Sequence, residues 1–161
     1  MARIDPSECS INQVAFLDMI AFSEIGSPLL AVSDDGYNVL EGATAAIPLL
    51  FDSYDTFPAV ALTGAHTSSA AGRYQLLARY FAPYAKTCDL TDFSPVSQDK
   101  IALQQIKECR AIPLIEAGNI EQAIARCAHI WASLPGAGYG QHENKLAMLT
   151  KAYLDAGGVI T

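Results

Sequence analysis

The segment "MIAFSEIGS" sets a carboxylate, Glu24, at the end of an apolar run that a glycine breaks two residues later. Two forces oppose a charge there. Apolar neighbours disfavour the ionised form, and the carbonyl end of a helix adds an unfavourable dipole potential. Both raise the pKa of a carboxyl group, and an acid that keeps its proton near neutral pH can hand it to a leaving oxygen. Position alone leaves the ordinary alternative open, since many helices end in an exposed glutamate.

The helix that must position this acid reads from about Ile11 to Glu24. Ser10 with Gln13 is a capping-box signature, and Gly26 and Pro28 end the run. Val14, Leu17, Ile20 and Ala21 share a helical face with Glu24, while Phe16, Met19 and Phe22 cover much of the remainder. Further on, the Asp35-Gly36 turn in "DDGYNVLEGA" and the proline-bounded "IPLLFDSYDTFP" predict a small, irregular β-hairpin with a long loop. Helical spacing resumes near Gly72, with an interruption around Pro83. It returns after Ser94-Pro95, after Asn119 as N-cap with Gln122 following, and in "ENKLAMLTKAYLDA" up to Gly157. The fold class is therefore α+β, mainly helical with one small β insertion in a single domain spanning 1–161.

Composition narrows the chemistry. A chain of 161 residues at net charge −7, without a basic stripe or interleaved aromatics, is not built for nucleic acid. Cys9, Cys88, Cys109 and Cys127 lie far apart with no C-x-x-C pair and read as buried free thiols. His66, His129 and His142 show no ligand spacing, so neither metal nor cofactor is expected. The N-terminal "MARIDPSECS" lacks a basic region leading into an apolar one, which implies synthesis in the cytoplasm without stable membrane association.

Longer stretches point further. "SPVSQDKIALQQIKECRAIPLIEAGNIEQAIARCAHIWASLPGAGYGQ", with "AFLDMIAFSE", "GYNVLEG" and "AGRYQLL", closely resembles the lambda-type endolysins, lytic transglycosylases of the lysozyme superfamily, from about Val14 to Gly158. The resemblance implies a lysozyme-like fold with a cleft between an α lobe and a small β lobe, and bacterial peptidoglycan glycan strands as substrate. It maps the family's acid onto Ser23-Glu24. "IGSPLLAVSDDG" departs from the family's more polar, basic loop after the acid, and "EGATAAIPLLFDSYDTFP" is longer than its counterpart.

Further roles follow from the same mapping. In "AGRYQL", Gln75 could hydrogen-bond an acetamido sugar or sit exposed on a helix; Gly72 would allow close backbone approach, Arg73 would brace the loop and Tyr74 would pack. Tyr139, among three glycines in "LPGAGYGQ", offers a flat face to a sugar ring, and Ser133, the residue just before that stretch, is also assigned to substrate. Trp131 reads as core. Tyr37 could line the cleft from the β side or serve the hairpin.

The implied reaction needs one carboxylate. Glu24 would protonate the glycosidic oxygen and then, as base, take the proton of the N-acetylmuramic C6 hydroxyl, whose intramolecular attack benefits from tethering. Asp35 is either a turn residue or the second carboxylate of a hydrolytic muramidase, which would need it ~5–9.5 Å from the acid. A non-catalytic wall-binding or virion module is the alternative from another class. The enzyme reading implies a monomeric phage or prophage endolysin, made in the host cytoplasm and reaching the periplasmic wall through a holin-type pore.

Overall fold

The computed structural model describes residues 1–59 and 69–161; His66 lies outside the described residues. The chain divides into two compact units, Met1–Glu24 with Ala102–Thr161, and Ile25–Ile101. Among the described residues no helix is long and apolar enough to cross a membrane, and no cluster of His, Cys, Asp or Glu could hold a metal ion.

The first unit is helical. α1 (Ile11–Ile25) supplies it with residues up to Glu24. At its start the Ser10 hydroxyl oxygen accepts the Gln13 N–H at 3.1 Å, but the Gln13 amide turns to Glu116 (2.7 Å), so only half of the capping box forms. Ala15, Phe16, Leu17, Met19, Ile20 and Ala21 are all fully buried. Apolar residues on nearly every face explain this: the helix is a core element, not a surface one with a single apolar stripe. Gly26, at φ 77°, then takes the left-handed conformation that ends it.

Three further helices belong to this unit: α5 (Ile112–Glu116), α6 (Ile120–Cys127) and α7 (Leu146–Asp155), with α6 packed against both of the others. Asn119 is the N-cap of α6 as expected, yet its side chain makes no capping bond. Trp131 is buried, as its place in the helical pattern suggested. The four cysteines are free thiols; Cys109 and Cys127 are buried, whereas Cys9 and Cys88 are only half-buried.

The second unit contains α2 (Ser27–Ala31), β1 (Ala70–Ala71), β2 (Leu76–Leu77) and α3 (Ala78–Thr87); α4 (Pro95–Glu108) begins here and ends in the first unit. Its two strands pair antiparallel, Ala70 opposite Leu77 and Ala71 opposite Leu76. The hairpin expected from 35 to 58 is reduced to single bridges, Val39 to Leu50 and Leu40 to Ala71. The aromatic side chains of that stretch are used differently. Phe51 and Phe57 turn inward onto Phe93, at centroid distances of 6.2 and 4.8 Å, and build a small core with Leu40, Ala71, Leu76 and Ile101. This side-chain burial adds to a few backbone bonds across the segment, Leu40 N–H to Leu49 O at 2.9 Å and Phe51 N–H to Asn38 O at 3.0 Å.

The helix expected from Gly72 starts six residues later, because residues 72–75 make the turn between β1 and β2. Gly72 (φ 80°) and Gln75 (φ 48°) are both left-handed. α3 then runs through Pro83 without interruption. Pro83 is exposed, so water can meet the carbonyl that it leaves without a helical donor.

Candidate active site

Glu24 sits in the last turn of α1, half-buried. Ser133, 109 residues away in sequence, donates its hydroxyl to Glu24 Oε1 at 2.5 Å. Burial pushes the Glu24 pKa above the ordinary carboxyl value, and the Ser133 hydroxyl and backbone N–H pull part of the way back. The result is an acid that stays protonated further up the pH scale while its anion still has donors waiting.

Ser133 is held by its neighbours. Trp131 and Leu134, both buried, anchor the backbone on either side, and Leu134 N–H donates to Trp131 O at 3.1 Å. The segment that follows loops out and returns: Asn144 N–H donates to Ser133 O at 2.8 Å, closing residues 133–144 at the neck. Inside the loop the Glu143 carboxylate accepts the N–H groups of Gly136 and Gly138, each at 2.9 Å, which lowers its pKa. Tyr139 stands at the outer part of this loop, exposed, with its hydroxyl donating to His129 O at 2.9 Å. An aromatic ring with a tethered hydroxyl and an open face is a surface on which a sugar ring can lie.

Two more side chains complete the cluster around the acid. Ser23 Oγ lies 2.7 Å from Ser133 Oγ, and Asn144 Nδ2 reaches both Ser23 O and Ser23 Oγ at 3.1 Å. Asn144 has no sequence signature. It stands 121 residues from Ser23, and no motif spacing relates them. Glu143 could have been suspected, as the acid beside a run of glycines whose amides need an acceptor.

The other expected site residues belong to the second unit. Asp35 adopts φ 51° in the turn before Gly36, and its carboxylate pairs with Arg73 at 2.9 Å. Arg73 also donates to Asp35 O. Asp35 thus stands in a turn that Arg73 ties from two sides, through the carboxylate and the carbonyl. The guanidinium is almost wholly buried, 5.0 Å above the Tyr37 ring and 6.0 Å from that of Tyr74.

Tyr37, read as lining the cleft from the β side or serving the hairpin, is fully buried, with its hydroxyl donating to Asp99 Oδ1 at 2.8 Å. Tyr74 packs as expected and donates to the same oxygen at 2.6 Å. With no exposed ring surface to offer, Tyr37 serves the interior of its unit. Burial and then the Asp99 charge drive the pKa of both phenols upward.

Gly72 does permit a close approach, though to the protein itself: a Cβ there would lie 2.3 Å from Gln98 Oε1. That oxygen accepts the Arg73 N–H at 2.9 Å, while Gln98 Nε2 donates to Tyr37 O and Phe93 O. Gln75 is half-buried in the turn, not on a helix, and its Nε2 donates to Gly72 O at 2.9 Å.

Comparison with known proteins agrees on one relationship. The endolysin family model matches residues 14–160. The chain is 47% identical to the endolysin of Escherichia phage lambda, over 95% of this chain and 96% of that one. It is 43% identical to the endolysin of Escherichia phage P2, over 92% and 94%. The solved lambda lysozyme complexed with a chitohexasaccharide superposes with a TM-score of 0.84 at 45% identity, over the whole of both chains. A second lambda lysozyme structure gives 0.80 at 44%. The fold is thus lysozyme-like, mainly helical with one small antiparallel sheet, and the chain belongs to the endolysin family.

Proposed function

We propose that this endolysin-family chain, a phage enzyme that degrades the peptidoglycan of the host cell wall, does so as a lytic transglycosylase. Its 161 residues then act as one catalytic domain on the β-1,4 bond between N-acetylmuramic acid and N-acetylglucosamine. The observation that carries the reading is Glu24: a carboxyl raised in pKa by burial, with Ser133 on one oxygen. In the first step Glu24 gives its proton to the glycosidic oxygen as the bond to the muramic C1 breaks. In the second, the carboxylate removes the proton of the C6 hydroxyl as that oxygen bonds to C1. The product is a 1,6-anhydromuramic end, and no water is consumed.

Asp35 supports the one-carboxylate scheme, because Arg73 already holds its charge. Substrate contacts in this reading fall to Tyr139 and to the carbonyl edge of Gln75, with Ser133 acting on the acid. The chitohexasaccharide held by the similar lambda lysozyme supports a glycan strand as the ligand. The enzyme would work as a monomer, made in the host cytoplasm and released to the wall through a holin-type pore.

Mass spectrometry of digested cell wall tests the reaction type. Anhydromuramic ends are expected throughout; hydrated reducing ends alone would establish a hydrolase, and would bring Asp35 back as second carboxylate. A further expectation concerns the loop that carries Tyr139. Glu143→Ala removes the acceptor of two glycine amides, so the loop should sample more conformations. KM for wall fragments should rise several-fold while kcat changes little, the pattern of lost uniform binding. Unchanged steady-state constants would remove this loop from substrate binding.

A further inference from the structure

Ser23, Ser133 and Asn144 form a chain of hydrogen bonds that ends on the acid, and its direction follows from its two ends, the Asn144 amide and the Glu24 carboxyl oxygen. The Ser23 carbonyl can only accept, so the edge of Asn144 facing it at 3.1 Å is the amide NH₂. That same nitrogen lies 3.1 Å from Ser23 Oγ and must donate there as well. Ser23 Oγ therefore receives one hydrogen, and because the single hydrogen of Ser133 goes to Glu24, Ser23 gives its own to Ser133 Oγ at 2.7 Å. Ser133, receiving from Ser23, gives its own hydrogen to Glu24 Oε1 at 2.5 Å.

Resting on Glu24 as the acid, we propose that Asn144 is a positioning residue: it polarises the chain through Ser23 and Ser133 so that Glu24 Oε1 is always an acceptor and the transferable proton stays on Oε2. A neutral carboxyl has a single O–H, and an oxygen already receiving a hydrogen from Ser133 is the poor place for it. One oxygen then gives the proton to the leaving group and takes the next from the C6 hydroxyl. The carboxyl needs no rotation between steps, and Oε1 stays tied to a donor whose bond strengthens as charge appears. Asn144 is suited to the part because its backbone N–H, not its side chain, closes the loop at Ser133 O. Its side chain can be changed without opening the neck.

Two substitutions separate direction from mere presence. Asn144→Ala removes the polarising donor; kcat should fall about tenfold with KM nearly unchanged, and the basic limb of the pH–rate profile should move to higher pH as the carboxylate loses support. Asn144→Asp supplies an acceptor in its place. Ser23 then donates to Asp, Ser133 to Ser23, and the acid's proton is drawn onto Oε1, so kcat should fall by about 100-fold, below the alanine variant. Carbon-13 NMR titration of the Glu24 carboxyl in the alanine variant gives the same upward shift without relying on turnover, and Ser23→Ala should reproduce it. A folded Asn144→Ala protein with the parental kcat and basic limb would overturn the proposal, as would an aspartate variant as active as the alanine one. If Glu24→Gln is inactive in that event, the proposal about Asn144 falls alone; a fully active Glu24→Gln would take the reading of the acid with it.

Discussion

Glu24→Gln should abolish lysis of permeabilised Gram-negative cells, lowering kcat by about 10²–10⁴-fold, the range that a positioned general acid and base contributes. The amide is nearly isosteric, and its carbonyl oxygen can still accept from Ser133, so the loss is one of chemistry and not of structure. The same substitution makes an opposite prediction for stability. Because the folded chain holds the Glu24 proton more tightly than the unfolded one, stability must decline as pH rises from the ordinary carboxyl value up to the raised one. Glutamine has nothing to release. The variant should therefore equal the wild type in acid and exceed it above neutrality, as read from Tm at the two ends. Parallel Tm profiles would mean that the folded protein exerts no pull on this proton. A rate within a few-fold of wild type would remove Glu24 from the mechanism.

The second large effect lies in the other unit. Arg73→Met should destabilise the protein by about 3 kcal/mol, the lower end of the range for breaking a buried ion pair from one side, since Asp35 is a third exposed and can rehydrate. For a chain of this length that corresponds to a fall in Tm of roughly 6–12 °C. Methionine fills much of the volume beside Tyr37 and Tyr74 but carries no charge to pair with Asp35. Arg73→Lys keeps the charge and loses the planar fork and the stacking, so it should fall between the two. Asp35→Asn leaves the buried guanidinium without this counter-charge, so it should cost at least as much stability as Arg73→Met, yet the folded protein should retain most of the lytic rate. Loss of lysis in a stable Asp35→Asn protein would transfer Asp35 from the brace to the chemistry, and a Tm for Arg73→Met equal to wild type would show that the cluster contributes nothing.

Local rules sufficed for much of the architecture. The Ser10 cap, the apolar run and the left-handed Gly26 bound α1 almost to the residue, and they place Glu24 in its last turn. Gly118 and Gly157 likewise sit in left-handed turns where a helix pattern ends. These features depend on interactions within four residues of one another, which a sequence displays directly. The stretch around Gly72 misled for the same reason. "AGRYQLLARY" has helical spacing, yet the bonds that decide its conformation come from Val39, Gln98 and Asp35, none of them its neighbours.

The place of Glu24 at the end of a largely buried helix was legible in the chain by itself, from the apolar run and the glycine that ends it. Its surroundings were not. By sequence Ser133 reads as a substrate contact and Tyr37 as either cleft wall or hairpin support; in the folded chain the Ser133 hydroxyl donates to Glu24 and the Tyr37 hydroxyl to Asp99. Asn144 had no role at all. Only tertiary structure could decide these, because a hydrogen bond forms over about 3 Å of space, whereas the partners that meet here are separated by 62 to 121 residues of chain.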